Sequence, residues 1–375
     1  LLPRNSAIRA GALLAALSLT SAAAPADRSA VDRLTRIVSD HRTASKVQSV
    51  LFGAWIADKP IVTSAQGNSF SGVPATPAMH IRAGIVQTEA LATILLQLVD
   101  RGQVALDAPL STWLPSLPHA TTVTLRMLAN SRSGYGDFLA DKTFQKTLEE
   151  NPFQTFTQDQ LIEIGMKQPM AFEPGTGFHY AHTNAVLLGA VLERITGKPV
   201  AALMQDHIIG PLRLRETEIP VSAAIREPVQ HVFTRERGPY EDSTYWDPSW
   251  AVNSGTIAST IDEVAVMQRA FGSGALLSKT AFAAMMEPTN AGSPPQSRNL
   301  YFGLGVIVGN TWILQHAQVD GSDVAMGYLR ARDLTIVVST AIGPRSAPLA
   351  RGYSLSFLKD AAAYLAPERP IPPEL

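Results

Sequence analysis

The sequence predicts an α/β protein of the α+β type, with one mixed, mostly antiparallel sheet assembled from both ends of the chain, flanking helices and an inserted helical region. Two observations on the order of elements carry this. Strand-like runs occur early, at 47–56 and 60–64, and return only after residue 300. Between about 106 and 260, apolar residues recur at helical spacing in pieces joined by Pro- and Gly-rich loops. A third is size and composition: 375 residues, 46% hydrophobic and 17% charged, can bury a sizeable core and do not describe a disordered or fibrous chain.

Taken in order, Arg4 and Arg9 precede an apolar run at 10–19, and small residues follow to Ala26. That is the layout of a secretory signal peptide, residues 1–26, and the run is shorter than the roughly 20 residues a membrane span needs. The expectation is export, to the periplasm, the cell envelope or the medium, with no stable membrane span after cleavage. Residues 27–375 are expected to form a single domain, with 27–105 and 262–366 bearing the sheet, 106–261 mainly helical, and 367–375 a tail. Within it, 31–42 has helical spacing, and the two early runs are split by Ala57-Asp58-Lys59, which reads as a hairpin. The stretch 72–77, with Pro74 and Pro77, is a stiff extended approach to a helix through Ile85, Leu91, Ile94, Leu95 and Leu98 that stops at Gly102. Leu91, Leu95 and Leu98 share a face, so this helix should be buried. Late strands are expected at 301–308, 312–316, 324–329 and 334–340, then a helix over 353–365. The Pro-rich end, 367–373, is expected to lie loose on the surface.

Composition excludes several functions. The formal net charge is −1 and no long single-sign run occurs, which argues against nucleic acid as a partner. The absence of cysteine removes disulfides, thiolate nucleophiles and thiolate metal sites. Eight histidines and 32 acidic residues form no His-x-x-x-His or tight ligand spacing, so neither a metal nor another cofactor is expected.

Three stretches carry a specific resemblance. The first runs from Leu96-Gln97-Leu98-Val99-Asp100-Arg101-Gly102 through Leu106-Asp107-Ala108-Pro109-Leu110 to Trp113-Leu114-Pro115. The second is Thr124-Leu125-Arg126-Met127-Leu128 with Ser133-Gly134-Tyr135, and the third is Glu173-Pro174-Gly175 followed by Tyr180-Ala181-His182-Thr183-Asn184. Together they resemble the class C β-lactamase, D,D-peptidase and esterase group of serine hydrolases, over nearly the whole chain after the signal. The resemblance implies a β-lactamase/transpeptidase-like fold and acyl-transfer chemistry, in which a Ser at a helix N-terminus attacks a carbonyl and a Lys one turn later shares its face.

Carried over residue by residue, the Ser position is Ile85 and the Lys position is Thr88, and Ile85 has no nucleophilic atom. Tyr180 stands where the resemblance implies a general base or proton relay. His182 occupies a position where Asn is common; it is either a pocket residue or a loop histidine bonded to backbone. His316-Ala317-Gln318, with Gly321 beyond, matches the third motif, but Gln318 replaces a Gly that lets the strand approach the substrate. His316 is either a site residue or an ordinary strand histidine. Thr260 or Ser259 with Asp262 and Glu263 reads as a helix cap, and Tyr245, Trp246 and Trp250 as a pocket wall or a packed loop. The literal Ser356-x-x-Lys359, inside the last helix, reads as a chance match.

The resulting expectation is an exported homologue of serine hydrolases that has lost catalysis and keeps a ligand cleft around Ile85, Thr88, Tyr180, His182, His316 and Gln318. Its ligand would be a small molecule or a peptidoglycan-like peptide. The alternative is an active hydrolase of an ester, amide or β-lactam bond with a rearranged site, in which Tyr180 or His316 activates water or a hydroxyl such as Ser133 reaches the cleft.

Overall fold

The computed structural model describes residues 28–220, 222–292, 294–347 and 352–375, so the expected signal segment at 1–26 lies outside the described residues. The chain opens with α1 (Arg28–Ser45), a hairpin of β1 (Ser49–Ile56) and β2 (Lys59–Phe70), then the short β3 (Val73–Pro74) and β4 (His80–Arg82). The helical stretch follows as α2 (Val86–Asp100), α3 (Leu125–Ala129), α4 (Lys142–Glu150), α5 (Gln158–Lys167), α6 (His182–Thr196), α7 (Val200–Met204) and α8 (Gly210–Leu212). Short strands β5 (Phe233–Thr234), β6 (Glu241–Asp242) and β7 (Ala258–Thr260) lead to α9 (Ile261–Ser273) and α10 (Lys279–Met285). The chain then returns to the sheet as β8 (Leu300–Phe302), β9 (Ile307–Gly309), β10 (Trp312–Val319), β11 (Ser322–Leu329) and β12 (Leu334–Ala341), and α11 (Ser354–Leu365) follows.

The main sheet has the order β3-β2-β1-β12-β11-β10-β9-β8. Its ladders are antiparallel, and the two ends of the chain meet where Ser49 pairs with Ala341 and Ile56 with Leu334. Strand alternation feeds two cores. Val50, Phe52, Leu314 and Val338 face α1 and α11, whereas Leu51, Ile313, Met326 and Val337 face α2 and α9. Each face removes apolar area from water, at about 25 cal/mol per Å². Helix boundaries follow local chemistry: Thr157 and Gln160 close a capping box on α5, Thr260 caps α9 by accepting from Glu263 N, and Gly197 ends α6 in the left-handed conformation.

Two expectations are corrected. The run expected as one strand at 301–308 is two strands, β8 and β9, because the backbone turns through Gly303 and Gly305. Gly305 has φ +69°, and a Cβ there would lie 2.6 Å from the Thr88 carbonyl, so the hairpin backbone lies directly against α2. The Pro-rich tail is also not loose. The buried Trp312 Nε1 donates to Arg369 O at 2.7 Å, Asn310 Nδ2 donates to Pro370 O at 2.9 Å, and Ile371 is buried. A fully enclosed indole N–H needs an acceptor, and the tail carbonyls supply it.

Candidate functional site

The N-terminal end of α2 is held from below and from the side. Arg82, buried in the strand just before it, donates to the carbonyls of Ala223 at 2.9 Å and of Thr244 and Trp246 at 3.4 Å. Burial lowers its pKa, and Asp320 and Asp247 oppose that shift. Gly84 has φ +60°, and an added Cβ would come within 2.6 Å of Ala317 Cβ, so the turn into α2 lies tight against β10. Ile85 follows as the residue before the first helical turn, with no side-chain cap.

Ile85 is partly exposed and lines a cavity of about 350 Å³ together with Phe178, Tyr180, Phe302, Ile307 and His316. Thr88 does not line it. Its buried hydroxyl donates to Ile85 O at 2.9 Å, a local bond back along the helix. Gln87 is buried as well, and its Oε1 accepts from Thr256 N at 2.8 Å and Thr256 Oγ1 at 3.0 Å. Glu89 lies in the core, where burial raises its pKa well above the ordinary value.

Tyr180 precedes α6, with the His182 ring edge-on at 5.2 Å and the Phe302 ring at 5.9 Å. Burial, helped by the Asp137 charge, raises the phenol pKa, so Tyr180 is protonated at neutral pH. His182 Nδ1 lies 2.8 Å from Asp137 Oδ2, so this histidine is bonded to a carboxylate and not to backbone. Since a carboxylate only accepts, Nδ1 carries the proton and Nε2 is the free ring atom of the neutral form. Burial raises the pKa of Asp137, but His182 and backbone N–H groups outweigh it and hold the carboxyl below its usual range. His182 lies outside the lining of the Ile85 cavity, between Tyr180 and Trp250.

On β10, His316 does line the cavity, and its Nε2 lies 3.1 Å from Asp323 Oδ1. Asp323 also accepts from Thr340 Oγ1 at 2.8 Å, from the backbone N–H groups of Tyr353 and Ser354, and from Ser354 Oγ. Desolvation raises the Asp323 pKa, yet His316 and Ser354 hold it below the usual range. Gln318 is exposed and lines a separate cavity of about 430 Å³ with Glu236 and Asp320. It does not line the space beside Ile85: it shares a sheet face with His316 but lies two residues further along β10, near the turn into β11.

Other candidate hydroxyls are committed elsewhere. Ser133 is fully buried, donates to Asn184 Oδ1 at 2.5 Å and accepts from Tyr135 N. Ser356 Oγ donates to Tyr353 O, and Lys359 Nζ donates to Pro373 O, so that pair does structural work in α11. Trp250 Nε1 donates to Asp320 Oδ2 at 3.1 Å, and burial together with the Glu236 charge pushes the Asp320 pKa up to about 7. Among the described residues there is no group of three His, Asp or Glu side chains able to hold a metal ion, and no helix is long and apolar enough to cross a membrane.

Asp137 and Asp323 were not legible in the sequence as partners of the two histidines. Asp323 follows Gly321 at short range, which is a weak signal; Asp137 is 45 residues from His182 and gives none.

A family model described as Beta-lactamase matches residues 34–358. The chain belongs to the β-lactamase family. It is 32% identical over 157 residues to Esterase EstB of Burkholderia gladioli, covering 39% of this chain and 40% of the esterase. It is 22% identical over 267 residues to the Putative penicillin-binding protein PbpX of Bacillus subtilis (strain 168), covering 71% of this chain and 63% of that protein. The match thus spans less than two thirds of either relative. Among solved structures, a D-stereospecific amidohydrolase from Streptomyces sp. superposes with a TM-score of 0.77 at 25% identity, over 91% of this chain and 99% of that one. The family is that of β-lactamase-fold serine hydrolases, and the large antiparallel sheet with flanking helices is its fold.

Proposed function

We propose that this chain is an exported β-lactamase family member that binds a small acyl or amide compound, or a peptidoglycan-like peptide, without forming an acyl-enzyme. One observation carries the reading: Ile85 occupies the nucleophile position at the mouth of an open cavity whose described lining contains no Ser, Thr, Cys or Lys. Its hydroxyls are the phenols of Tyr180 and Tyr301, and Tyr301 Oη already donates to Met286 O at 2.8 Å. Deleting a nucleophile from a comparable site costs on the order of 10⁶ in turnover. The cavity volume of about 350 Å³ lies within the usual range of small-molecule pockets. Phe178, Phe302 and Ile307 suit an apolar acyl or aryl group, while Tyr180 Oη and His316 Nδ1 offer polar contacts to a carbonyl or amide. The signal-like layout of residues 1–26 supports export.

A second reading rests on the Asp137–His182 pair beside Tyr180. A carboxylate-oriented imidazole is the arrangement that lets Nε2 take a proton from water, with the protonated phenol of Tyr180 donating to the leaving group.

Both are tested by incubating the protein with a fluorescent penicillin and a chromogenic ester, followed by intact mass measurement and a binding titration with an N-acyl-D-alanyl-D-alanine peptide. The expected result is saturable binding with no mass adduct and no turnover. Ester turnover that disappears in both His182→Ala and Tyr180→Phe would replace the binding reading with the second one. Absence of both turnover and binding would sink both.

A further inference from the structure

We infer a second ligand site, for a small, multiply charged organic anion, in the hollow at the C-terminal end of α1. This hollow has a volume of about 640 Å³ and is separate from the Ile85 cavity. Three cations converge on it from different elements: Arg42 in the last turn of α1, Lys46 just beyond it, and Arg345 in the loop after β12. No acidic side chain is among the described residues that line it. No ion pair among the described residues involves any of the three. The nearby carboxylates on β6 are engaged elsewhere, Asp242 with His231 at 2.6 Å and Glu241 with Arg237 at 3.7 Å.

Helix electrostatics explains only part of this arrangement. Arg42 and Lys46 complement the partial negative charge of a helix C-terminus. Arg345 comes from a loop with no helix end to complement, and gathering like charges around a cavity is unfavourable without a counter-charge. Arg42 also has an unmet donor: its Nε is buried without an acceptor, while Nη2 makes only a 3.4 Å bond to Gln48 O. An oxyanion meets a guanidinium through two adjacent N–H groups, which is the kind of partner this side chain lacks.

The walls are preorganised. Tyr240 Oη donates within 2.9 Å of Gln48 Oε1 and 3.0 Å of Ile342 O, and its ring stacks on Phe233 at 5.0 Å. The Arg235 guanidinium lies 4.9 Å above the Tyr240 ring and donates to Pro344 O, which pins the loop carrying Arg345. At the rim, Phe70 is 43% exposed and offers a flat apolar surface. The fitting ligand therefore carries two or more phosphate or carboxylate charges, together with a flat apolar part.

The test titrates the full chain by calorimetry with inorganic pyrophosphate, citrate and 4-nitrophenyl phosphate. At low salt, saturable binding of pyrophosphate or citrate is expected with Kd below about 1 mM, weakening at least ~5-fold as ionic strength rises to about 0.2 M. Arg345→Gln and Lys46→Gln, both surface changes, should each weaken it by about tenfold, whereas Ile85→Trp, which fills the other cavity, should leave it unchanged. Tighter binding of 4-nitrophenyl phosphate than of inorganic phosphate titrated as its control, lost in Phe70→Ala, would support the flat apolar part. Absence of saturable binding with all three anions, or binding unaltered in both charge variants, would overturn the proposal.

Discussion

The cavity beside Ile85 and the hollow beside Arg345 lie on opposite halves of one sheet and are made of different materials. The first is walled by Phe178, Phe302, Ile307 and Ile85, and its one lining histidine, His316, is held by the carboxylate of Asp323. The second gathers three cations that no ion pair among the described residues engages. Around the first, His316 and Tyr301 are bonded within the protein; around the second, no ion pair among the described residues involves Arg42, Lys46 or Arg345. One fold thus carries both an apolar cavity and a cationic hollow, because shape and charge are set by separate residues.

The largest effect should come from Asp323, which joins His316 to β12 and the start of α11. Asp323→Ala strands several buried donors and is expected to cost about 3 kcal/mol or more in urea unfolding. It should also loosen ligand binding beside His316 while leaving anion binding at the hollow intact; equal loss at both would mean that the two regions are not independent. Gly84→Ala should follow, at about 2 kcal/mol, because φ +60° and the close approach of Ala317 both oppose a side chain, and a loss below about 0.5 kcal/mol would show that β10 can retreat from α2.

Asp320 provides a test by pH. Its folded pKa of about 7 lies above the unfolded value of roughly 3.9, so the folded state holds the proton longer, and this residue lowers stability progressively as pH rises from about 4 to 7, with no further change above. Asp320→Asn keeps an acceptor for Trp250 and removes that decline, giving a gain on the order of 1–2 kcal/mol at pH 8 and little at pH 4. A uniform gain across pH would assign the effect to packing instead of ionisation. The smallest effect is expected at the hollow: Arg345→Gln should change unfolding free energy by less than about 0.5 kcal/mol in low salt, since Arg345 is exposed and no ion pair among the described residues involves it. A clear destabilisation would mean that Arg345 is structural and would weaken the contrast between the two regions.

Much of the fold could be read directly. The early hairpin, the buried helix through Leu91, Leu95 and Leu98, the late strands and the final helix follow from periodicity, since period 2 and period 3.6 are local properties. The split at Gly303 and Gly305 was hidden because a strand pattern and a hairpin of two short strands look alike until a neighbour, here Thr88 O, fixes the turn. Of the residues that the motifs single out, Ile85, Tyr180 and His316 line one cavity while Thr88, His182 and Gln318 do not, and the carboxylates Asp137 and Asp323 gave no comparable signal. Gln318 shows the same limit: residue type and spacing placed it near the cleft, while its position two residues beyond His316 along β10 brings it to another cavity.

By itself, the sequence determined which atoms are available: no cysteine, no Ser at position 85, no Lys at position 88, and apolar patterns that commit both ends of the chain to one sheet. Only the tertiary structure decided which groups meet. It paired His182 with Asp137 and His316 with Asp323, tied the tail to Trp312, and gathered Arg42, Lys46 and Arg345 around one hollow. The physical reason is that covalent order and side-chain periodicity act over a few residues, whereas electrostatic pairing and cavity shape depend on distances set by packing between segments tens to hundreds of residues apart.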